Sequence, residues 1–239
     1  MKISSATSVG KIRAVNEDSF FVSEIGKSGA VLAVVADGMG GHNAGEVASA
    51  ETVKTLKDLI VETAIPPKEL LLSAIACANN SIYKMSQNTP TLFGMGTTVT
   101  ACVVKDDKLT AAQVGDSRLY LIRDGEITQI TKDHSLVEML LESGEISKED
   151  AKHHPQKNVI TRAIGTDSSV EADIYELQLK SDDILLLCSD GLVNMVDDEK
   201  ILSIVTESED FSKLSDVLVK EAENAGGHDN ITVVLIKLD

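Results

Sequence analysis

Acidic residues mark the ends of apolar runs at several distant points of this 239-residue chain. Asp37 closes the run Val31–Ala36 in "VLAVVADGMGGH", with Gly38 next, and Asp190 follows Ile184–Ser189 in "ILLLCSDG", again before glycine. Asp229 instead precedes an apolar run in "GGHDNITVVLI", as Glu17 and Asp18 do in "EDSFFVSEI", and Asp116 sits in "VGDSRLY" between two strand-like segments. In an antiparallel sheet the end of one strand neighbours the start of the next, so carboxylates in both positions can share one rim. Bare carboxylates about 5 Å apart repel by on the order of 3 kcal/mol per pair at an effective dielectric of about 20. Hard divalent cations remove that penalty, and oxygen-only ligand sets suit Mg²⁺ or Mn²⁺. A glycine after the aspartate leaves room for a backbone carbonyl to approach the same ion. Asp37 is therefore expected to bridge two ions, with Gly38 lending its carbonyl.

Each position also has an ordinary structural reading. Asp-Gly is a common turn dipeptide, and Asp124-Gly125 is read here as a hairpin turn and nothing more. Asp229 alone would serve as an Asx-turn or strand-start cap, and Glu17-Asp18 alone as solvated surface. The joint pattern carries the metal reading.

Those positions must be held by a fold, and the chain has the material for one. It is 43% hydrophobic and 25% charged, an ordinary globular composition. Its net charge of −16 argues against a nucleic-acid or anionic-membrane partner. Cys77, Cys102 and Cys188 are odd in number, far apart and set in apolar or helical stretches, so buried free thiols are expected. No leader pattern opens the sequence and no apolar run approaches membrane-spanning length, so a cytoplasmic protein is expected.

Val47, Ala50, Val53, Leu56 and Ile60 recur at helical spacing, as do Leu71, Ile75, Ala78, Ile82 and Met85, with Pro66-Pro67 between the two sets. A third helix carries Leu214, Val217, Leu218, Ala222 and Ala225 and ends at Gly226-Gly227. Strands are expected at about 2–8, 19–25, 30–36, 97–104, 108–114, 118–123, 126–130, 171–179, 183–189 and 230–238. Tight turns at Asp106-Asp107 and Asp124-Gly125 imply antiparallel pairing. Two packed antiparallel sheets with helices on their outer faces accommodate every element. Residues 134–170 read as a polar surface excursion with a short helix near 135–143 and another capped by Ser147-Lys148-Glu149-Asp150.

The ordered set "GKIRAVNEDSF", "VVADGMGGHNAGE", "GMGTTVTA", "VGDSRLYLIRDG", "TKDHSL", "NVITRAIG", "LLLCSDGL" and "GGHDNITVV" resembles the metal-dependent serine/threonine phosphatases of type 2C in their short bacterial form. The match spans essentially the whole chain, so the resemblance implies one catalytic domain over 1–239, built as a four-layer α-β-β-α sandwich of the α+β class. It implies that Asp37 bridges two ions with the Gly38 carbonyl, and that Asp190 and Asp229 hold one ion. Glu17 lies on the side of the other with Asp18 close behind, and Asp116 with Asp190 matches a third-ion site. Arg13 matches the arginine that grips substrate phosphate. A metal-bridging water, ionised at neutral pH, would attack phosphorus in line with the leaving serine or threonine oxygen.

The resemblance further implies phosphorylated protein substrates, Mn²⁺ or Mg²⁺ as cofactor and an opposing bacterial serine/threonine kinase. A monomer is expected. Eukaryotic relatives place a histidine directly after the Asp-Gly; Met39 stands there in this chain, and His42 is the candidate general acid. Residues 134–170 match the flap beside the site, with Asn158, Thr161 and Arg162 anchoring its return limb. His134 is assigned to a helix entry capped by Asp133 or Ser135, His153-His154 to solvated surface and His228 to a turn.

Two rival readings share the fold: an inert phosphatase-like binding module, and a two-metal hydrolase of nucleotides or small phosphoesters. The presence of Asp37, Asp190 and Asp229 argues against the first. A cysteine phosphatase is disfavoured because Tyr83, Lys108 and Asn194, not arginines, stand six residues after the cysteines. A serine hydrolase lacks its Gly-x-Ser-x-Gly elbow, and Gly26-Lys27-Ser28 lacks the earlier glycine of a phosphate loop.

Overall fold

Residues 1–27, 29–40, 44–60, 65–152 and 154–239 are described by the computed structural model of the chain. In chain order the elements are β1 (Lys2–Ser8), β2 (Asp18–Ile25), β3 (Ala30–Met39), α1 (Ala44–Leu59), α2 (Pro67–Asn88), β4 (Gly96–Thr97), β5 (Val99–Lys105) and β6 (Lys108–Val114). There follow β7 (Arg118–Arg123), β8 (Glu126–Gln129), α3 (Leu136–Glu142), α4 (Lys148–Lys152), β9 (Asp173–Gln178) and β10 (Ile184–Cys188). The chain closes with α5 (Asp190–Val193), α6 (Asp198–Glu207), α7 (Leu214–Asn224) and β11 (Ile231–Lys237).

One sheet runs β1-β11-β10-β7-β8 and the other β2-β3-β5-β6-β9, with β4 attached to β3. All pairings are antiparallel. Alternation along the strands builds the layers, because successive side chains point to opposite faces. Val31, Ala33 and Val35 of β3 meet Leu185, Leu187, Val234 and Ile236 between the sheets. Leu32, Val34 and Ala36 face Leu56 of α1 and Ile75 and Ile82 of α2. Leu186, Cys188, Val233 and Leu235 turn outward onto Ile201 of α6 and Leu218 of α7. A one-residue slip in any central strand would exchange two cores, so the register is strongly specified. The result is helices, sheet, sheet, helices.

The hairpin turns have the chemistry expected of them. Asp106 and Asp107 (φ 49° and 57°) and Asp124 and Gly125 (φ 53° and 79°) supply the left-handed pairs that two-residue turns need.

Several expectations change. The strand begun at residue 30 does not stop at Ala36 but runs to Met39, so Asp37 and Gly38 are strand residues paired with neighbours on both sides. The expected strand 97–104 is two strands, because Thr98 leaves the ladder to bond Asp37. α5 and α6 were not anticipated; α6 has its own start signal, the Asp197 carboxylate accepting from the Lys200 N–H at 2.8 Å. Cys77 is exposed, since the buried stripe of α2 runs through Ala74, Ile75 and Ala78 and leaves position 77 on the outer face; Cys102 and Cys188 are buried as expected. The return limb of the excursion is core rather than surface. Ile164 bridges to Thr97, Ala163–Gly165 are buried, and the Gly165 N–H donates to Asn79 at 2.7 Å. Among the described residues no helix is long and apolar enough to cross a membrane.

Candidate functional site

The two sheets meet at one rim where the acidic residues gather. Asp37 on β3 lies directly opposite Asp18 on β2. Its backbone is held from the far side by Thr98, whose hydroxyl accepts from the Asp37 N–H and whose own N–H donates to the Asp37 carbonyl, both at 2.9 Å. The Thr97 hydroxyl donates to the same carbonyl at 2.9 Å. Glycine at 38 answers a packing demand: a Cβ there would stand 2.1 Å from the Gly45 carbonyl oxygen and 2.6 Å from that of Glu17. The first turn of α1 thus sits against the strand, and a Cβ on Gly45 would come within 2.7 Å of Glu17 Oε1. Glu17 is tied in by its backbone, accepting from the Gly38 N–H at 3.1 Å and the Ser49 hydroxyl at 2.6 Å.

The other sheet contributes the rest. Asp190 opens α5 two residues beyond the end of β10, with Oδ2 accepting from Asn194 at 2.9 Å. Asp229 lies just before β11; its Oδ1 accepts from the Asn230 N–H at 2.8 Å and its Oδ2 from Arg13 Nη2 at 2.7 Å. Asp18 crosses the gap between sheets, its Oδ2 accepting from Ser189 and Thr232 hydroxyls at 2.7 Å each. Asp116 occupies the turn between β6 and β7. That turn rests on Gln113, whose amide donates to Gly115 and Ser117 carbonyls at 2.9 and 2.6 Å, and on His134, whose Nδ1 accepts from the Gly115 N–H at 3.0 Å.

These carboxyl groups feel one another. Burial first, then the charges of Asp18, Asp190, Asp116 and Asp229, push the Asp37 carboxyl well above the usual range. Burial raises Asp18 to about 7, with Asp190 and Asp229 adding to the shift. Asp116 is raised to about 7 by burial, then by Asp190 and Asp133. Asp190 is raised to about 6 by burial and then by the charge of Asp229. Ionising them together is costly without a compensating cation.

Two observations fit divalent ions. Asp18 Oδ1 and Asp190 Oδ1 are buried with no hydrogen-bond partner, a costly condition for a carboxylate oxygen. The donor set is all oxygen, carboxylate and carbonyl, as hard cations prefer. Among the described residues no three His, Cys, Asp or Glu side chains already stand as a finished cage. Asp229 is turned to Arg13, and Asp18 is half engaged by hydroxyls, so their side chains would adjust around an ion.

Asp18, Asp37, Asp116, Asp190 and Asp229 are therefore brought together, with Arg13 on Asp229 and Glu17 beside Gly38 and Gly45. His42 and His153 lie outside the described residues. His134 is a buried support of the Asp116 turn, its Nε2 facing Asp173 and Arg162 at 3.2 Å each, while the helix cap is Ser135. Burial holds its pKa below the ordinary imidazole value, so it remains a neutral acceptor at Nδ1. Arg162 reaches Asp173 at 2.8 Å and the Glu171 carbonyl at 3.0 Å, anchoring the return limb. Residues that sequence reasoning passed over are Thr98, Ser189, Thr232 and Asn230. Their signal was a hydroxyl or amide set inside or beside an apolar strand next to a candidate ligand.

Residues 8–230 match the family described as Protein phosphatase 2C. The chain is 43% identical over 238 residues to a serine/threonine phosphatase stp of Listeria monocytogenes serotype 4b (strain F2365), covering 98% of this chain and 94% of that protein. It superimposes on the Streptococcus agalactiae serine/threonine phosphatase with a TM-score of 0.93 at 38% identity, covering 100% and 99% of the two chains. The catalytic domain of the serine/threonine protein phosphatase PstP in complex with two manganese ions matches with a TM-score of 0.89 at 37% identity, covering 100% and 98%. With its fold and nearly all of its length in common with these proteins, the chain belongs to the protein phosphatase 2C family.

Proposed function

We propose that this protein is a metal-dependent phosphatase that hydrolyses phosphoserine and phosphothreonine in proteins. The observation that carries the reading is the convergence of Asp37 and Asp18 from one sheet with Asp190 and Asp229 from the other, beside Arg13. Two divalent ions would be held by Asp37 and the Gly38 carbonyl, together with Asp190 and Asp229 for one and Glu17, backed by Asp18, for the other. Asp116 with Asp190 is the candidate for a third. When bound, such ions supply a hydroxide nucleophile at neutral pH and offset the massed carboxylate charge.

The chain's own groups have definite tasks. Arg13 presents a planar donor fork to the phosphate oxygens, exchanging its bond to Asp229 for one to substrate. Asp18, with Oδ2 on Ser189 and Thr232, ties the two sheets together and leaves Oδ1 without a protein partner. Hydrolysis joins a water oxygen to phosphorus and breaks the bond to the serine or threonine oxygen, which leaves with a proton; His42 is the candidate donor. The chemistry suits Mn²⁺ and Mg²⁺ alike, and the manganese in PstP favours Mn²⁺ as first choice. A cognate serine/threonine kinase, a cytoplasmic setting and a monomeric state complete the proposal.

The test is hydrolysis of a phosphothreonine peptide with Mn²⁺. Asp37→Asn and Asp229→Asn are each expected to lose more than about 100-fold, the upper end of what removing a metal's outer-shell partner costs, while keeping the wild-type circular dichroism. Wild-type rates in either variant would overturn the reading.

A further inference from the structure

Arg13 has a half-exposed side chain and sits in 9–17, a segment with no regular secondary structure between β1 and β2. A long, solvated side chain aims well only if its backbone is fixed. The fixing group lies more than two hundred residues away in sequence. Asn230, 4% exposed, accepts from the Glu17 N–H at 2.8 Å through Oδ1. Through Nδ2 it donates to the Val9 and Val15 carbonyls, both at 3.0 Å. One amide therefore closes the entry and the exit of the loop onto a single point, with both of its donors used. Its orientation is determined: exchanging oxygen and nitrogen would set acceptor against two carbonyls and donor against an N–H.

The loop is also laid directly on the strand of backbone leading to Asn230. The Lys11 N–H donates to the Gly227 carbonyl at 2.7 Å, and a Cβ on Gly10 (φ +75°) would lie 2.2 Å from the Asp229 carbonyl oxygen. Asn230 is the residue after Asp229, which Arg13 touches. The arginine and the aspartate at its tip are thus referenced to the same short piece of chain.

We propose that Asn230 is a positioning residue for Arg13, setting where the guanidinium meets the substrate's phosphate oxygens. The proposal rests on the phosphatase reading of the site. It is distinct from any direct role, because among the described residues the amide's hydrogen bonds go to backbone.

The experiment is a double-mutant cycle of Asn230→Ala with Arg13→Ala, with wild type as reference, on a phosphothreonine peptide with saturating Mn²⁺. Wild-type turnover tests the phosphatase reading by itself. Asn230→Ala is expected to raise KM and the inhibition constant for inorganic phosphate together, and to lower kcat/KM by about 100-fold, the scale of a misplaced binding group. In the Arg13→Ala background it should add almost nothing, because the group it positions is gone. A loss of equal size in both backgrounds, or unchanged phosphate inhibition, would mean that Asn230 serves stability alone. Asn230→Asp keeps the Glu17 bond and the volume but loses both donors; it repeats the cycle if the alanine variant fails to fold. Amide exchange at residues 9–17, faster in the folded variant than in wild type, reports the loosened loop directly, and unchanged exchange there would also overturn the proposal.

Discussion

Thr98 holds Asp37 through both backbone groups, and its hydroxyl continues to Ser117 at 2.7 Å and so to the Asp116 turn. Replacing it by valine keeps the shape and removes the acceptor for a half-buried N–H. Thr98→Val is expected to lower unfolding stability by about 1–3 kcal/mol, measured by urea denaturation, and to weaken Mn²⁺ binding measured by calorimetry. A variant as stable as wild type would show that the threonine is not the strut described here. The ligand candidates themselves were legible because a carboxylate at the boundary of an apolar run is chemically out of place. Their supports were not. Asn230, Ser189 and Thr232 look like unremarkable polar residues until the strands are paired, because each acts on a partner between 171 and 221 positions away. Local pattern carries no trace of such a contact.

At the scale of elements, the position of α1 depends on a missing methyl group. Gly38 and Gly45 face each other across a gap with no room for a Cβ on either, so Gly38→Ala must push the first turn of α1 away from β3. The expected outcome is a lower melting temperature and a loss of hydrolysis, because Glu17 is bonded into the same contact; thermal denaturation and rate measured together check this. Wild-type values for both would contradict the packing account. Strands and long helices were readable because alternation and three-to-four spacing are local consequences of burial, as in Val31–Ala36 and Leu71–Ile82. What escaped was set by neighbours. β3 extends to Met39 only because β2 and β4 flank it, and α5 is a single turn, too short to leave a periodic signature. The excursion misled for the same reason: Gly165, with φ +85° and a would-be Cβ 2.2 Å from Ile82 Cγ2, belongs to the core through α2.

For the whole molecule, the acidic rim links folding to metal and to pH. Burial raises Asp18 and Asp116 from 3.8 to about 7 and Asp190 from 3.8 to about 6. Between those values the folded chain binds more protons than the unfolded one, so stability of the ion-free protein falls as pH rises through that window. The melting temperature in chelator is therefore expected to be lower at about pH 7.5 than at about pH 5.5. Mn²⁺, taking the place of those protons, should raise it more at the higher pH. A chelated protein that gains stability across the window would contradict the clustering of these carboxyl groups. The sandwich gathers them by bringing the rims of two sheets together. The most direct test of that claim is a calorimetric titration of Mn²⁺ into wild type, Asp37→Asn and Asp229→Asn. The account expects at least two ions per wild-type chain, both weakened together by the change at Asp37 and one weakened selectively by the change at Asp229. An Asp37→Asn protein that titrates like wild type would contradict it.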